Sequence, residues 1–197
     1  MEKRRTSKSS SKPGAQPKTL GAEAWLSEAW RALSELGVEG VRVEPLAARL
    51  GVTKGSFYWH FEDRAALLGA LLDDWEQRAT AAVIRAVDER CESPRERLFA
   101  LIRMTTGAPE APDVEHAVRA WGALDPAVRK RLHRVDARRE AYVQALLVAV
   151  GVDEARAAMR ARALYLALIG EYTRVAHGGA PTDRATWDEL VQRMIER

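Results

Sequence analysis

Apolar residues recur at intervals of three and four along almost all of this chain, the rhythm of helices with one buried face. From Thr19 to Leu36, one stripe collects Trp25, Leu26, Ala29, Trp30, Leu33 and Leu36, and Gly37 follows as the expected C-cap. A short helix is expected from Glu44 to Leu50. Pro45 suits its first turn, where a missing N–H costs nothing, and Gly51 ends it in a left-handed conformation. Thr53 is the expected N-cap of a third helix of about seven residues, with Phe57 and Phe61 turning one face inward. A long helix should run from Asp63 to Arg90, with Leu67, Leu68, Leu71, Leu72, Trp75, Ala79, Val83 and Val87 on its apolar side. Pro94 opens another, which breaks at Gly107 to Pro112. Helices then follow from Val114 to Trp121, from Asp125-Pro126 to Val150, from Asp153 to Ala176, and from Thr182 or Asp183 to Ile195. Without an alternating stretch long enough for a strand, the expectation is an all-α chain of about nine helices.

The third helix departs from a packing pattern. Opposite Phe57 and Phe61 it carries Lys54, Ser56, Tyr58, Trp59 and His60. A helix that needed only stability would not expose so many aromatic and polar groups. Donors and aromatic rings on one face suit contact with another molecule. A short helix, a glycine turn, this helix and a long one make the layout of a helix-turn-helix DNA reader joined to a helical body.

Composition adjusts this picture. Hydrophobic residues form 47% of 197, enough for a substantial core. Residues 1–18, with Lys3, Arg4, Arg5, Lys8, Lys12 and Lys18 among serines and prolines, read as a disordered cationic arm, a phosphate-binding tail or a solubilising one. Residues 1–64 hold 11 Lys/Arg against 8 Asp/Glu, so the whole formal charge of +3 lies with the reader and its arm. The single Cys91 leaves no internal disulfide and reads as an ordinary helix cysteine in a reducing, cytoplasmic setting. No stretch approaches the roughly 20 apolar residues of a membrane span.

The segment LAARLGVTKGSFYWHFEDRAALL, Leu46 to Leu68, resembles the TetR family of bacterial transcriptional regulators. It has the small-residue helix, the glycine turn, Lys54-Gly55-Ser56, an aromatic run ending in His60-Phe61, and then Arg64 and Leu67. The likeness is strong over about residues 20–75; beyond them it rests on the number and order of helices. Trp59 stands where the family more often has tyrosine or histidine, and Arg42 opens helix two where threonine is commoner.

The resemblance implies three parts: a basic arm at 1–18, a three-helix DNA-binding domain at 19–64, and a helical ligand-binding and dimerisation domain at 65–197. It implies a repressor that binds a palindromic DNA operator as a homodimer and is released by a small molecule. The expected DNA contacts are Arg42, Thr53, Lys54, Gly55, Ser56, Tyr58, Trp59, His60 and Arg64. Gly55 would let backbone approach the duplex, and most of the others would position the reader on phosphates. The resemblance also implies an effector pocket, with Trp75, Phe99, Met104, Trp121, Tyr142, Tyr165 and Tyr172 as candidate walls. His116, Arg119, Arg162 or Glu171 are its candidate polar anchors. The apolar run Ala163 to Ile169 and the last helix would form the dimer face. No cofactor, metal or catalytic constellation is expected, because no P-loop, dinucleotide fingerprint or nucleophile elbow occurs. The alternative is an all-α small-molecule-binding protein or enzyme with an incidental helix-turn-helix.

Overall fold

A computed structural model describes Leu20–Glu196; residues 1–19, with the basic arm, and residue 197 lie outside the described residues. The described part is helical, with no strand. Helices α1 (Ala22–Leu36), α2 (Val43–Leu50) and α3 (Lys54–Phe57) form the reader. The body follows with α4 (Arg64–Glu76), α5 (Ala82–Arg90), α6 (Pro94–Thr106), α7 (Ala111–Leu124), α8 (Pro126–Ala149), α9 (Glu154–Ala176) and α10 (Arg184–Ile195). A π-helical turn, Gln77–Ala81, joins α4 to α5 into one rod. Counted that way, the described residues form nine helices, in the order that the hydropathy pattern predicts.

Most helix ends follow from local chemistry. Gly37 and Gly51 end α1 and α2 with φ of 70° and 68°. The side chains of Asp63, Asp125, Asp153 and Asp183 accept from free amides at the starts of α4, α8, α9 and α10. Ser93 and Glu96 form a reciprocal capping box on α6.

Three expectations change. Helix three has four residues rather than about seven: after Phe57 the chain turns through Tyr58, Trp59 and His60. Thr53 precedes it in extended conformation, but its hydroxyl caps no amide. Helix α7 begins at Ala111 and runs to Leu124, because Pro112 sits in its first turn, where proline breaks nothing.

Two apolar cores hold the helices together. The first gathers Trp25, Trp30, Leu46 and Phe57 from the reader with Leu67, Leu71 and Trp75 of α4. It continues into Val118 and Trp121 of α7 and Val128, Leu132 and Val135 of α8. The second joins Val87 of α5, Leu98 and Ile102 of α6, Val143 and Leu147 of α8, Leu164 and Leu168 of α9, and Trp187 and Val191 of α10. The first core therefore crosses residue 64 without interruption. On the α1 stripe, Leu36 stays outside the core, at 59% exposure.

Candidate nucleic-acid interface and small-molecule cavity

Phe57 sets the orientation of the reader. It is fully buried, with its ring 5.2 Å edge-on to Trp25 and 5.5 Å from stacked Phe61. Burial of that ring forces the next turn outward. Tyr58 is 54% exposed and Trp59 87%, the most exposed large hydrophobic side chain among the described residues. Lys54 and Gly55 are exposed beside them, and Ser56 is half-buried. A Cβ on Gly55 would meet only Thr53 Oγ1, at 3.6 Å, so the backbone there is open to approach.

The cations expected at DNA are mostly engaged within the chain. Lys54 Nζ donates to Glu44 Oε1 at 3.2 Å. A hydrogen bond from its own backbone and then the Lys54 ammonium hold the Glu44 carboxyl below its ordinary range. His60 Nε2 donates to the Leu20 carbonyl at 2.8 Å and ties the end of the reader to the chain entering α1. Arg64 donates to the Val41 and Val38 carbonyls, each at 2.6 Å, and so braces the link between α1 and α2. Arg31 and Arg49 pair with buried Glu28. Among the described residues, Arg42 is the one cation of the reader with no such partner. Residues 20–64 hold five Lys/Arg against seven Asp/Glu, whereas residues 1–19 hold six against one. The positive excess of this region thus belongs to the arm and not to the folded reader.

Behind the reader, a two-lobed cavity lies where the two cores meet. The inner lobe, about 90 Å³, is walled by Trp75, Val83, Leu101, Val143, Leu164 and their neighbours. The outer lobe, about 180 Å³, shares Trp75, Ala79, Thr105, Val114 and Tyr172 with it and extends to Trp30, Asp74 and Arg78. Of the expected wall residues, Trp75, Tyr142, Tyr165 and Tyr172 line the inner lobe and Met104 the outer one. Phe99 packs against the second core and Trp121 belongs to the first. Arg162 faces Glu140 at 3.6 Å, while the rings of His116 and His177 meet edge-on at 4.8 Å. Glu171 binds Arg174 and the Thr182 amide.

Most of the polar wall comes from residues that the sequence did not single out. Arg139 donates to Thr80 at 2.9 Å and to Glu115 at 3.0 Å, and its guanidinium lies 5.1 Å from the Trp75 ring. Glu115 also accepts from Trp75 Nε1 at 3.1 Å and pairs with Arg119 at 2.7 Å. Arg119 grips Asp136, which accepts from the Tyr165 hydroxyl at 2.6 Å. Burial pushes the Asp136 carboxyl up, but the hydrogen bonds from Arg119 and Tyr165 outweigh it and hold the group below the ordinary aspartate range. Burial, with the hydrogen bond to Asp136, pushes the Tyr165 hydroxyl up, and burial does the same to Tyr172. Nothing in the local sequence marks Arg139, which lies in an arginine-rich helix whose other arginines meet solvent, surface carboxylates or, for Arg129, the Gly122 and Ala123 carbonyls.

A bent pair of short helices with an outward aromatic face, carried on a helical body with an internal cavity, is the layout of a helix-turn-helix reader joined to a helical body. A profile of the bacterial regulatory proteins of the tetR family matches residues 26–71. Over 97 residues the chain is 37% identical to the class A tetracycline repressor of transposon 1721 from Escherichia coli, covering 43% of this chain and 45% of that protein. It is 43% identical over 54 residues to the class C tetracycline repressor from Escherichia coli, covering 27% and 25%. The matches thus span less than half the length of these curated relatives. Among solved structures, a TetR-family transcriptional regulator from Rhodococcus sp. superposes with a TM-score of 0.66 at 25% identity, covering 89% of this chain and 98% of that one. A transcriptional regulator from Saccharomonospora viridis in complex with choline gives 0.72 at 21% identity, covering 89% and 95%. Residues 26–71 thus match the tetR family, and the fold of the described residues is that of a TetR-family structure.

Proposed function

We propose that this protein is a ligand-responsive transcriptional repressor that binds a palindromic DNA operator as a homodimer. The observation that carries the reading is the outward turn of Tyr58, Trp59 and His60 on a helix anchored by a fully buried Phe57. A single short reader covers too little DNA for tight specific binding, so two are needed, in grooves about 34–36 Å apart or a multiple of that. The exposed stripe of Met159, Ala163, Leu166, Ala167 and Gly170 on α9 supports a paired molecule. The six cations of residues 1–18 would add phosphate contacts that the folded reader lacks.

The cavity is the proposed effector site, in keeping with a choline-bound protein of the same fold. Trp30 Nε1 donates to Asp74 Oδ2 at 2.6 Å across the outer lobe, joining α1 of the reader to α4 of the body. A ligand pressing on this wall would move α4, and with it the spacing of the two readers.

The test is footprinting on DNA upstream of the protein's own gene, then titration of variants on the protected site. Lys54→Ala and Tyr58→Phe are expected to weaken binding without changing the melting temperature. If both titrate like the wild type, α3 and its following turn do not read DNA. A compound that raises the melting temperature through the cavity should also lower operator affinity. Equal affinity with and without it would rule out release by ligand.

A further inference from the structure

The inner lobe is walled by aromatic and aliphatic side chains, and its two charged groups, Glu115 and Arg139, are engaged with each other and with their neighbours. The Arg139 guanidinium reaches Thr80, Glu115 and, at 3.4 Å, the Ala79 carbonyl. Glu115 is shared by Trp75, Arg119 and Arg139. The three tyrosine hydroxyls donate to Asp88, Asp136 and the Thr105 carbonyl at 2.8, 2.6 and 2.8 Å. Thr105 donates to the Leu101 carbonyl at 2.9 Å. Among the described residues, the buried side-chain polar atoms left without a partner belong to Trp25, Arg119, Trp187 and Asp188, none of which lines this lobe.

Charge is balanced as well. Glu115 and Asp136 face Arg119 and Arg139, two of each sign in one network. An ion entering the lobe would meet no free counter-charge, and pairing it would strip a partner from a buried one. The Trp75 ring, the natural seat for a ligand cation, already carries the Arg139 guanidinium. An apolar group loses nothing there.

We infer that the inner lobe of this cavity takes a neutral, predominantly apolar small molecule, and that the charge-balanced network around Glu115 and Arg139 rejects cations and anions of the same shape. The inference rests on the effector-site reading above. Two shape-matched pairs separate charge from shape: tert-butylbenzene against phenyltrimethylammonium, and nitrobenzene against benzoate. Binding to the full chain is measured by calorimetry and melting temperature, and release from the operator is measured separately. The neutral member of each pair should bind roughly tenfold or more tightly than its ion. Leu164→Trp, which fills the lobe, should abolish binding of the neutral probes. Equal or tighter binding of either ion, or binding by none of the four, overturns the inference. Neutral probes that bind and leave the operator complex intact overturn the ligand-responsive reading instead. In Glu115→Gln, two guanidiniums face one carboxylate, so benzoate should gain roughly tenfold on nitrobenzene. No gain would show that charge balance does not set the selectivity.

Discussion

Glu44 and Lys54 face each other at 3.2 Å on the surface proposed to meet DNA. Glu44 is exposed, and its lowered pKa keeps it charged wherever the protein would bind a duplex. The pair is worth little to the fold, because exposed ion pairs are screened by water. Its larger effect is on the partner: one anion stands beside a cation aimed at phosphates. Glu44→Gln should therefore tighten operator binding roughly two- to fivefold, with an unchanged melting temperature. Weaker binding in a titration at fixed salt would mean that Glu44 serves to hold Lys54 in place. The sequence marked Lys54 as a phosphate contact but not its pairing with Glu44, ten residues away on the preceding helix. It did not make visible that Arg64 and His60 spend their donors on the chain's own carbonyls, because a carbonyl partner leaves no mark on residue type.

At the scale of elements, helix ends were the most legible feature. Aspartate followed by helix-forming residues fixed the starts of α4, α8, α9 and α10, and positive-φ glycines marked the ends of α1 and α2. The length of α3 was not legible, because four residues are too few for a period to appear. The cavity was half legible. Its aromatic walls stood out, whereas Thr80, Glu115 and Arg139 looked like surface residues until α4, α7 and α8 were packed together. Asp136 in that network gives a pH test. Its folded pKa is depressed by Arg119 and Tyr165 despite burial, so its contribution is complete above the unfolded value of about 4 and fades as pH falls through the lower folded value. Asp136→Asn should cost roughly 1.5–3 kcal/mol at pH 7 and progressively less as pH falls below about 4. Melting curves across that range check it. A cost that stays constant down to pH 3 would assign the loss to packing.

For the whole molecule, the DNA-binding part expected at 19–64 and the body expected at 65–197 share a continuous first core that runs from Trp25 to Val135. The resemblance placed a boundary at residue 64, inside a motif that runs on to Leu68, and a motif records contacts with DNA more clearly than contacts with the body. Two predictions belong at this scale. Leu166 is 59% exposed on the α9 stripe, so Leu166→Glu should convert a dimer in light scattering to a folded monomer and reduce operator affinity more than tenfold. A mutant dimer as stable as the wild type would move the interface elsewhere. Deletion of residues 1–18 should flatten the dependence of affinity on salt, by about 0.9 in log–log slope for each phosphate the arm neutralises. An unchanged slope would leave the arm without a role at DNA.

The turn at Gln77–Ala81 also has a consequence for timing along the helix. There the Ala82 amide reaches back five residues, to the Gln77 carbonyl. In an unbroken α-helix the eight residues from Trp75 to Val83 would overshoot two full turns by about 80°. A wider turn advances less per residue and takes back much of that excess. Trp75, Ala79, Thr80, Val83 and Ile84 therefore all look into the same cavity. One surplus residue acts as a phase correction, and it lets a single rod keep Trp75 in one core and Val87 in the other.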